Sequence, residues 1–293
     1  MPSPTPLRRA LPEALAVLVT VWLLPGSALP HGDFNQRLAR ADQAIAASPS
    51  DPETWLLRAD LHRRHGDFEA ALGDLAEVDR LSPGLPRTLY FRGLIAMDSG
   101  HHEEAEALLR RFLVHEPTHP AGLEARARVL LVLKRPLDAA RAYDLVIVQQ
   151  PTPVPDHYVA RANAYAAAGN AHLGTAIQGL DEGLSRMGGV VTLERVAIDL
   201  ELRRGETDAA LRRLGRITAR SPRRETWLAQ RGDILAGAGR NAEAKASYTL
   251  ALSELERLPT PKRQTPAMAR LEATLQQNLK ALAPPVRPET APR

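Results

Sequence analysis

The sequence predicts an all-α chain, a solenoid of about six helix-turn-helix repeats with a half repeat in front and a capping helix behind. Three observations carry that prediction. The first is a fixed period: HGDF stands at 31–34 and again at 65–68, and Pro49, Pro83, Pro117 and Pro151 follow one another at steps of 34 residues. Gly32, Gly66 and Gly100 keep the same step, with Lys134 at the next beat, as do Ala71, Ala105 and Ala139, and Arg58, Arg92 and Arg126. Four series in one phase mark stacked supersecondary units, because a repeat of 20–50 residues cannot bury its apolar face without its neighbours. The second is composition: Ala and Leu dominate and aromatics are only 4%, which suits closely approaching helices rather than sheets. The third is the pattern inside one period. Trp55, Ala59 and His62, then Ala71, Leu75 and Val78, fall at helical spacing on either side of Gly66.

Taken in order, the chain opens with MPSPTPLRRA, where Arg8 and Arg9 precede the uncharged run ALAVLVTVWLL at 14–24 and the small residues of PGSALP. Charged start, short apolar run and small-residue site describe a secretory signal over 1–28, cut after Ala28. The run is shorter than the roughly 20 apolar residues a bilayer needs, so no membrane span is expected after cleavage. The expected location is therefore periplasmic or secreted; the alternative is an array tethered by an uncleaved leader.

The array is expected over 29–258. Residues 33–48 have the pattern of a second helix, while the first helix of that unit would fall on the leader with Pro25 at its middle, so the array begins with a half repeat. In most repeats a glycine sits where the first helix must turn, with Lys134 in its place in repeat three, and in most a proline ends the second helix or begins the next. At the far end LPTPKRQTP breaks the pattern, and AMARLEATLQQNLKALA sets Met268, Leu271, Leu275, Leu279 and Leu282 on one stripe. Linker and capping helix occupy 259–283, and PPVRPETAPR, 284–293, reads as a disordered Pro-rich tail.

With these residues in place, the chain resembles the tetratricopeptide repeat family. Repeat one matches at Trp55, Ala59, Gly66, Ala71, Leu75 and Pro83, repeat two at Leu89, Gly93, Gly100, Ala105, Leu109 and Pro117. Repeat three keeps Leu123, Ala127, Ala139, Tyr143 and Pro151. Repeat four keeps Tyr158, Ala162, Tyr165 and Gly169, but its second helix arrives two residues late, at Ala176 and Leu180. Repeat five keeps Gly205, Ala210, Leu214 and Pro222 with Glu194 and Glu201 intruding on its first helix, and repeat six keeps Leu228, Gly232, Gly239, Ala244 and Tyr248. The resemblance implies a right-handed solenoid whose first helices line a concave groove for a protein or peptide partner. By register the groove residues are Leu56, Asp60, Arg63, Arg87, Tyr90, Leu94, Met97, Glu124, Arg128 and Asn163, with Leu131 and Val159 beside them. Tyr90, Leu94 and Met97 have no core role in the repeat pattern and are expected to form an apolar ridge flanked by Arg63, Arg87 and Arg128. The Lys and Asn by which some members grip a C-terminal carboxylate are not reproduced here, Asn163 excepted.

No catalytic constellation, cofactor loop or metal set emerges, and the chain is read as a non-catalytic scaffold. GAGRNA at 237–242 lies between two helices without the strand a dinucleotide loop requires. Zero Cys excludes disulfides, thiolate metal sites and cysteine nucleophiles. His62 and His65, and His101 and His102, form pairs with no third ligand in view. The 38 basic and 34 acidic residues give a formal charge of +4, and no nucleic-acid partner is expected. The recurring Arg58, Arg92, Arg126, Arg161 and Arg231 lie beside the helix crossing and are expected to form internal ion pairs, with Asp74, Asp79 and Glu106 in reach. The alternative function is a small-ligand or polyanion binder using an Arg-rich inner face.

Overall fold

The computed structural model describes residues 31–282, so the leader over 1–28 and the tail over 284–293 lie outside the described residues. Among those described there are helices and turns and no strand. The chain divides into two compact bodies, one ending at Leu81 and one beginning at Ser82.

The first body holds α1 (His31–Ala47), α2 (Pro52–His65) and α3 (Phe68–Leu81), each packed on the next. Thus α1 is the helix expected of the half repeat, and it packs on α2. The second body runs through α4 (Pro86–Asp98), α5 (His102–His115), α6 (Pro120–Val132), α7 (Pro136–Gln149), α8 (Pro155–Ala167), α9 (Leu173–Met187), α10 (Val191–Arg203), α11 (Thr207–Arg220), α12 (Glu225–Gly237) and α13 (Asn241–Glu256). A short α14 (Thr260–Arg263) leads to α15 (Pro266–Ala281). From α4 to α13 each helix packs on its successor, and α15 packs on α13. Met268, Leu271, Leu275, Leu279 and Leu282 close over Leu228, Tyr248 and Leu255, which is the expected terminal cap. This is the all-α solenoid of helix-turn-helix repeats that the 34-residue period predicts.

The turns explain the period. Pro52, Pro86, Pro120, Pro136 and Pro155 each sit at a helix start, where the missing N–H costs nothing and φ is already set. Gly66, Gly100, Gly205 and Gly239 take φ of 93°, 84°, 76° and 74°, and Lys134 takes 58° at the same place in repeat three. After each, the next N–H reaches back five residues to close the helix end: Asp67 to His62 (2.9 Å), His101 to Ala96 (2.8 Å), Arg135 to Leu130 (2.8 Å), Glu206 to Glu201 (2.9 Å) and Arg240 to Leu235 (2.9 Å). Lys134 is therefore held in a glycine's conformation by the turn around it. Repeat four differs. After Gly169 a 3₁₀ turn, Asn170–His172, is inserted and α9 begins at Leu173. That turn accounts for the two-residue delay of Ala176 and Leu180.

Small residues set the helix crossings. A Cβ on Gly93 would stand 2.8 Å from Leu109, and one on Gly232 would stand 2.3 Å from the Tyr248 ring. Ala59, Ala71, Ala127 and Ala162 are buried at equivalent crossings. The arginines beside them tie second helices to first ones. Arg58 joins Asp42 on α1 (2.8 Å) and Asp74 on α3 (2.7 Å). Arg126 joins Glu106 (2.9 Å), and Arg161 joins Asp144 (3.1 Å) and Glu182 (2.8 Å). Arg231 breaks the ladder by donating to the Ser247 hydroxyl (2.9 Å), not to a carboxylate. In repeat five Glu194 and Glu201 are buried, and the structure supplies their counterions: Arg220 for Glu194 (2.7 Å) and Arg213 for Glu201 (2.7 Å). Arg213 also reaches Asp181 on α9 (2.7 Å). Burial works against the Arg213 charge, and its hydrogen bonds to Glu201 and Asp181 outweigh it, raising the guanidinium above its ordinary value.

Candidate partner-binding face

The groove positions fall into three environments. In the first body Leu56 is core, 1% exposed, so it lines no groove. Asp60 and Arg63 bind one another on their own helix (2.7 Å), and Asp60 also receives Arg64 (2.7 Å).

In the second body the expected Tyr90, Leu94 and Met97 ridge is not a free surface. Leu94 is buried, and Tyr90 and Met97 pack against the cluster of Leu94, Ala96, Ala105, Leu109, Ala125 and Val129. Tyr90 lies 5.2 Å from the Phe112 ring and 5.4 Å from His119. The cause is close approach. Gly122, in the first turn of α6, has no side chain, and a Cβ there would stand 2.6 Å from Phe112, so α4, α5 and α6 draw together. His119 fastens the same corner, its Nδ1 accepting the Gly122 N–H at 3.1 Å. The ridge therefore holds repeats two and three together.

The remaining positions make a polar face on α6, α8 and α10. Arg128 and Asn163 are exposed, and Arg87 on α4 is exposed as well. Glu124 is half-buried, and its Oε2 stands 3.4 Å from Nε2 of His157 on α8. Both Glu124 and Arg128 act on Tyr143: burial first, then Glu124, pushes its hydroxyl up to about 12, and Arg128 opposes them. Leu131 and Val159 are half-buried against core clusters and add little free apolar area. Repeat five supplies two further residues that the register list omitted, Arg195 and Asp199 on α10, which touches α8. The Asp199 side chain is exposed, yet the protein around its carboxyl takes away enough water to hold it above the ordinary carboxylate value, with Arg195 pulling the other way. Counting back ten and six residues from Gly205, as the first repeat counts back from Gly66 to Leu56 and Asp60, finds both.

The histidine pairs have local roles. His65 stacks on Phe34 at 3.8 Å, His62 meets the same ring edge-on at 6.5 Å, and His101 Nδ1 pairs with the Ser99 hydroxyl at 3.0 Å.

Paired helices closed by one recurrent turn, stacked in chain order and tied by arginines at the crossing, define a helical repeat protein. A family model described as tetratricopeptide repeat matches residues 27–86, 92–153 and 196–259, more than half of the chain, and the chain belongs to that family. The unmatched stretch holds the 3₁₀ insertion of repeat four and the start of repeat five. Among solved structures, the C-terminal part of a TPR repeat-containing protein from Cytophaga hutchinsonii is 13% identical, with 87% of this chain and 92% of that chain covered at a TM-score of 0.51. The structure of Naa15/Naa10 bound to HypK-THB is 15% identical, covering 86% of this chain and 37% of that one at 0.54. A tetratricopeptide repeat protein from Parabacteroides merdae is 17% identical, covering 86% and 93% at 0.47. At these identities the likeness concerns the fold. Tetratricopeptide repeats generally mediate protein–protein interaction.

Proposed function

We propose that this protein is a non-catalytic scaffold outside the cytoplasm that holds a protein or peptide partner on the polar face of its first helices. The observation that carries the reading is the set of first-helix side chains that packing does not consume: Arg128 and Asn163 are exposed at the groove positions of α6 and α8, with Glu124, Arg195 and Asp199 around them. Alternating charge of this kind suits a polar peptide backbone and mixed side chains. It does not suit the polyanion alternative, because Glu124 and Asp199 interrupt any basic inner surface. Export rests on the leader pattern of Arg8, Arg9 and the run at 14–24. Among the described residues no helix is long and apolar enough to cross a membrane.

The test is affinity capture of the tagged full chain from its own cells, comparing wild type with Arg128→Glu/Asn163→Arg. A partner lost from the double variant, with the helical circular-dichroism signal unchanged, supports the face. A partner retained in full refutes it. The mass of the isolated chain tests export: a start at Leu29 agrees, and an intact leader on protein recovered from the cytoplasm contradicts.

A further inference from the structure

Repeat five, residues 191–224, carries nine arginines, Arg195, Arg203, Arg204, Arg212, Arg213, Arg216, Arg220, Arg223 and Arg224, against five acids, and no lysine. Its surplus of four equals the formal charge of the whole chain, +4. The structure shows how that surplus is arranged. Glu194 and Glu201, two of the five acids, are buried and held by Arg220 and Arg213. Arg204 pairs with Glu206 at 3.0 Å, and Arg223 pairs with Glu225. Arg212 and Arg216 are exposed on α11, and among the described residues neither has an ion pair. They stand one helical turn apart, with Arg220, half-exposed, one turn further on. The row is about 12 Å long at 1.5 Å per residue. Between its members lie Gly215 and Ala219, both exposed, and a Cβ on Gly215 would meet nothing within 4 Å. The helix buries Leu214 and Ile217 on its other side, so Arg212 and Arg216 are not part of the core, while Arg220 at the end of the row also holds Glu194.

We propose that the Arg212–Arg216–Arg220 row on α11 is a docking surface for an acidic protein segment, a helix or extended strand with carboxylates about one helical turn apart. The proposal rests on the scaffold reading and names the partner chemistry of a second surface, on a second helix rather than a first one. Two features favour a narrow acidic segment. Guanidinium forks pair with carboxylates through two parallel hydrogen bonds, which fixes orientation as well as charge. The row is also one helix wide, and Asp208, one turn before Arg212 on α11, is taken up by Arg240 (2.6 Å), which leaves a short run of guanidinium positions that a narrow segment with matched carboxylate spacing can follow.

The experiment uses the full chain and a fluorescein-labelled 16-residue peptide with Glu at every fourth position in an Ala/Gln background, read by anisotropy at two salt concentrations. Arg212→Gln/Arg216→Gln should weaken binding about tenfold and flatten its salt dependence. The control Arg110→Gln/Arg111→Gln, which removes equal charge from α5, should leave it unchanged. Gln keeps the helix, and circular dichroism checks that it does. Equal losses in the two double variants would show a net-charge effect and overturn the assignment. So would equal binding of a peptide with Gln in place of Glu, or tighter binding of phosphatidylglycerol-containing vesicles or of a DNA duplex of about 20 base pairs. If the cellular partner is still captured in full by Arg212→Gln/Arg216→Gln, the row is refuted and the scaffold reading stands. If wild-type chain captures no partner at all, both fall.

Discussion

Among the described residues Lys134 is the non-glycine residue that the recurrent turn forces to positive φ, and replacing it isolates the energy of that turn. At φ 58° an L-residue places its Cβ against the following carbonyl, which costs roughly 1–2 kcal/mol. Glycine removes that cost, and its greater freedom in the unfolded chain gives back about 0.5–1 kcal/mol. Lys134 also adds a positive charge just beyond the C-terminal end of α6, worth about 0.3–1 kcal/mol there, which any neutral residue forfeits. The clean comparison is therefore between two neutral variants. Lys134→Ala keeps the strain and loses the charge, so it should fall below wild type by a few tenths of a kcal/mol. Lys134→Gly should stand about 1 kcal/mol above Lys134→Ala. The assay is urea unfolding followed by far-UV circular dichroism, with the variants compared at equal slope. Gly and Ala variants of equal stability would refute the idea that backbone conformation governs this position.

Other expected outcomes follow from packing and charge. Gly232→Ala puts a methyl 2.3 Å from the Tyr248 ring and should cost about 1–3 kcal/mol, whereas Gly73→Ala, in open space on α3, should gain about 0.5–1 kcal/mol in the same unfolding assay. Leu94→Ala should cost about 2–5 kcal/mol by urea unfolding, because Leu94 is core; a neutral result would restore the exposed ridge. Arg213→Met strands Glu201 in the interior and should cost roughly 3–5 kcal/mol, and Arg213→Met/Glu201→Leu should recover most of it. A double-mutant cycle on thermal unfolding checks this, and additive losses would mean that Arg213 and Glu201 do not act as a pair.

The turns were legible in the sequence because their chemistry is local. Gly66, Pro86 and Lys134 announce themselves by position, and the late Ala176 marks the insertion that the structure resolves as a 3₁₀ turn. The second-helix pattern of residues 33–48 was legible as well, and α1 bears it out. The ridge was misread because register assigns a position its usual role and knows nothing of neighbours. Tyr90 and Leu94 turn inward because Gly122 lets Phe112 approach, a contact between residues that the pattern treats separately. Leu56 turned inward as well, at a position the register had assigned to the groove. The acids of repeat five do depart from the pattern, and what periodicity could not supply is their counterions: Glu194 finds Arg220 26 residues away. Arg195 and Asp199 were legible by the same count back from Gly205 that gives Leu56 and Asp60 from Gly66. Arg58, Arg126 and Arg161 were foreseeable as ion pairs, since a guanidinium beside a crossing must find a carboxylate; Arg231 settled for Ser247.

The most direct test of the account is a photo-crosslinking scan in the native cells, with a photoreactive amino acid placed singly at Arg128, Asn163 and Asp199 on the first helices and at Val114 and Val148 on the exposed side of second helices. The account predicts one protein partner crosslinked from 128, 163 and 199 and absent from 114 and 148. Crosslinks confined to 114 and 148 would place the partner on the opposite side of the repeats and contradict it.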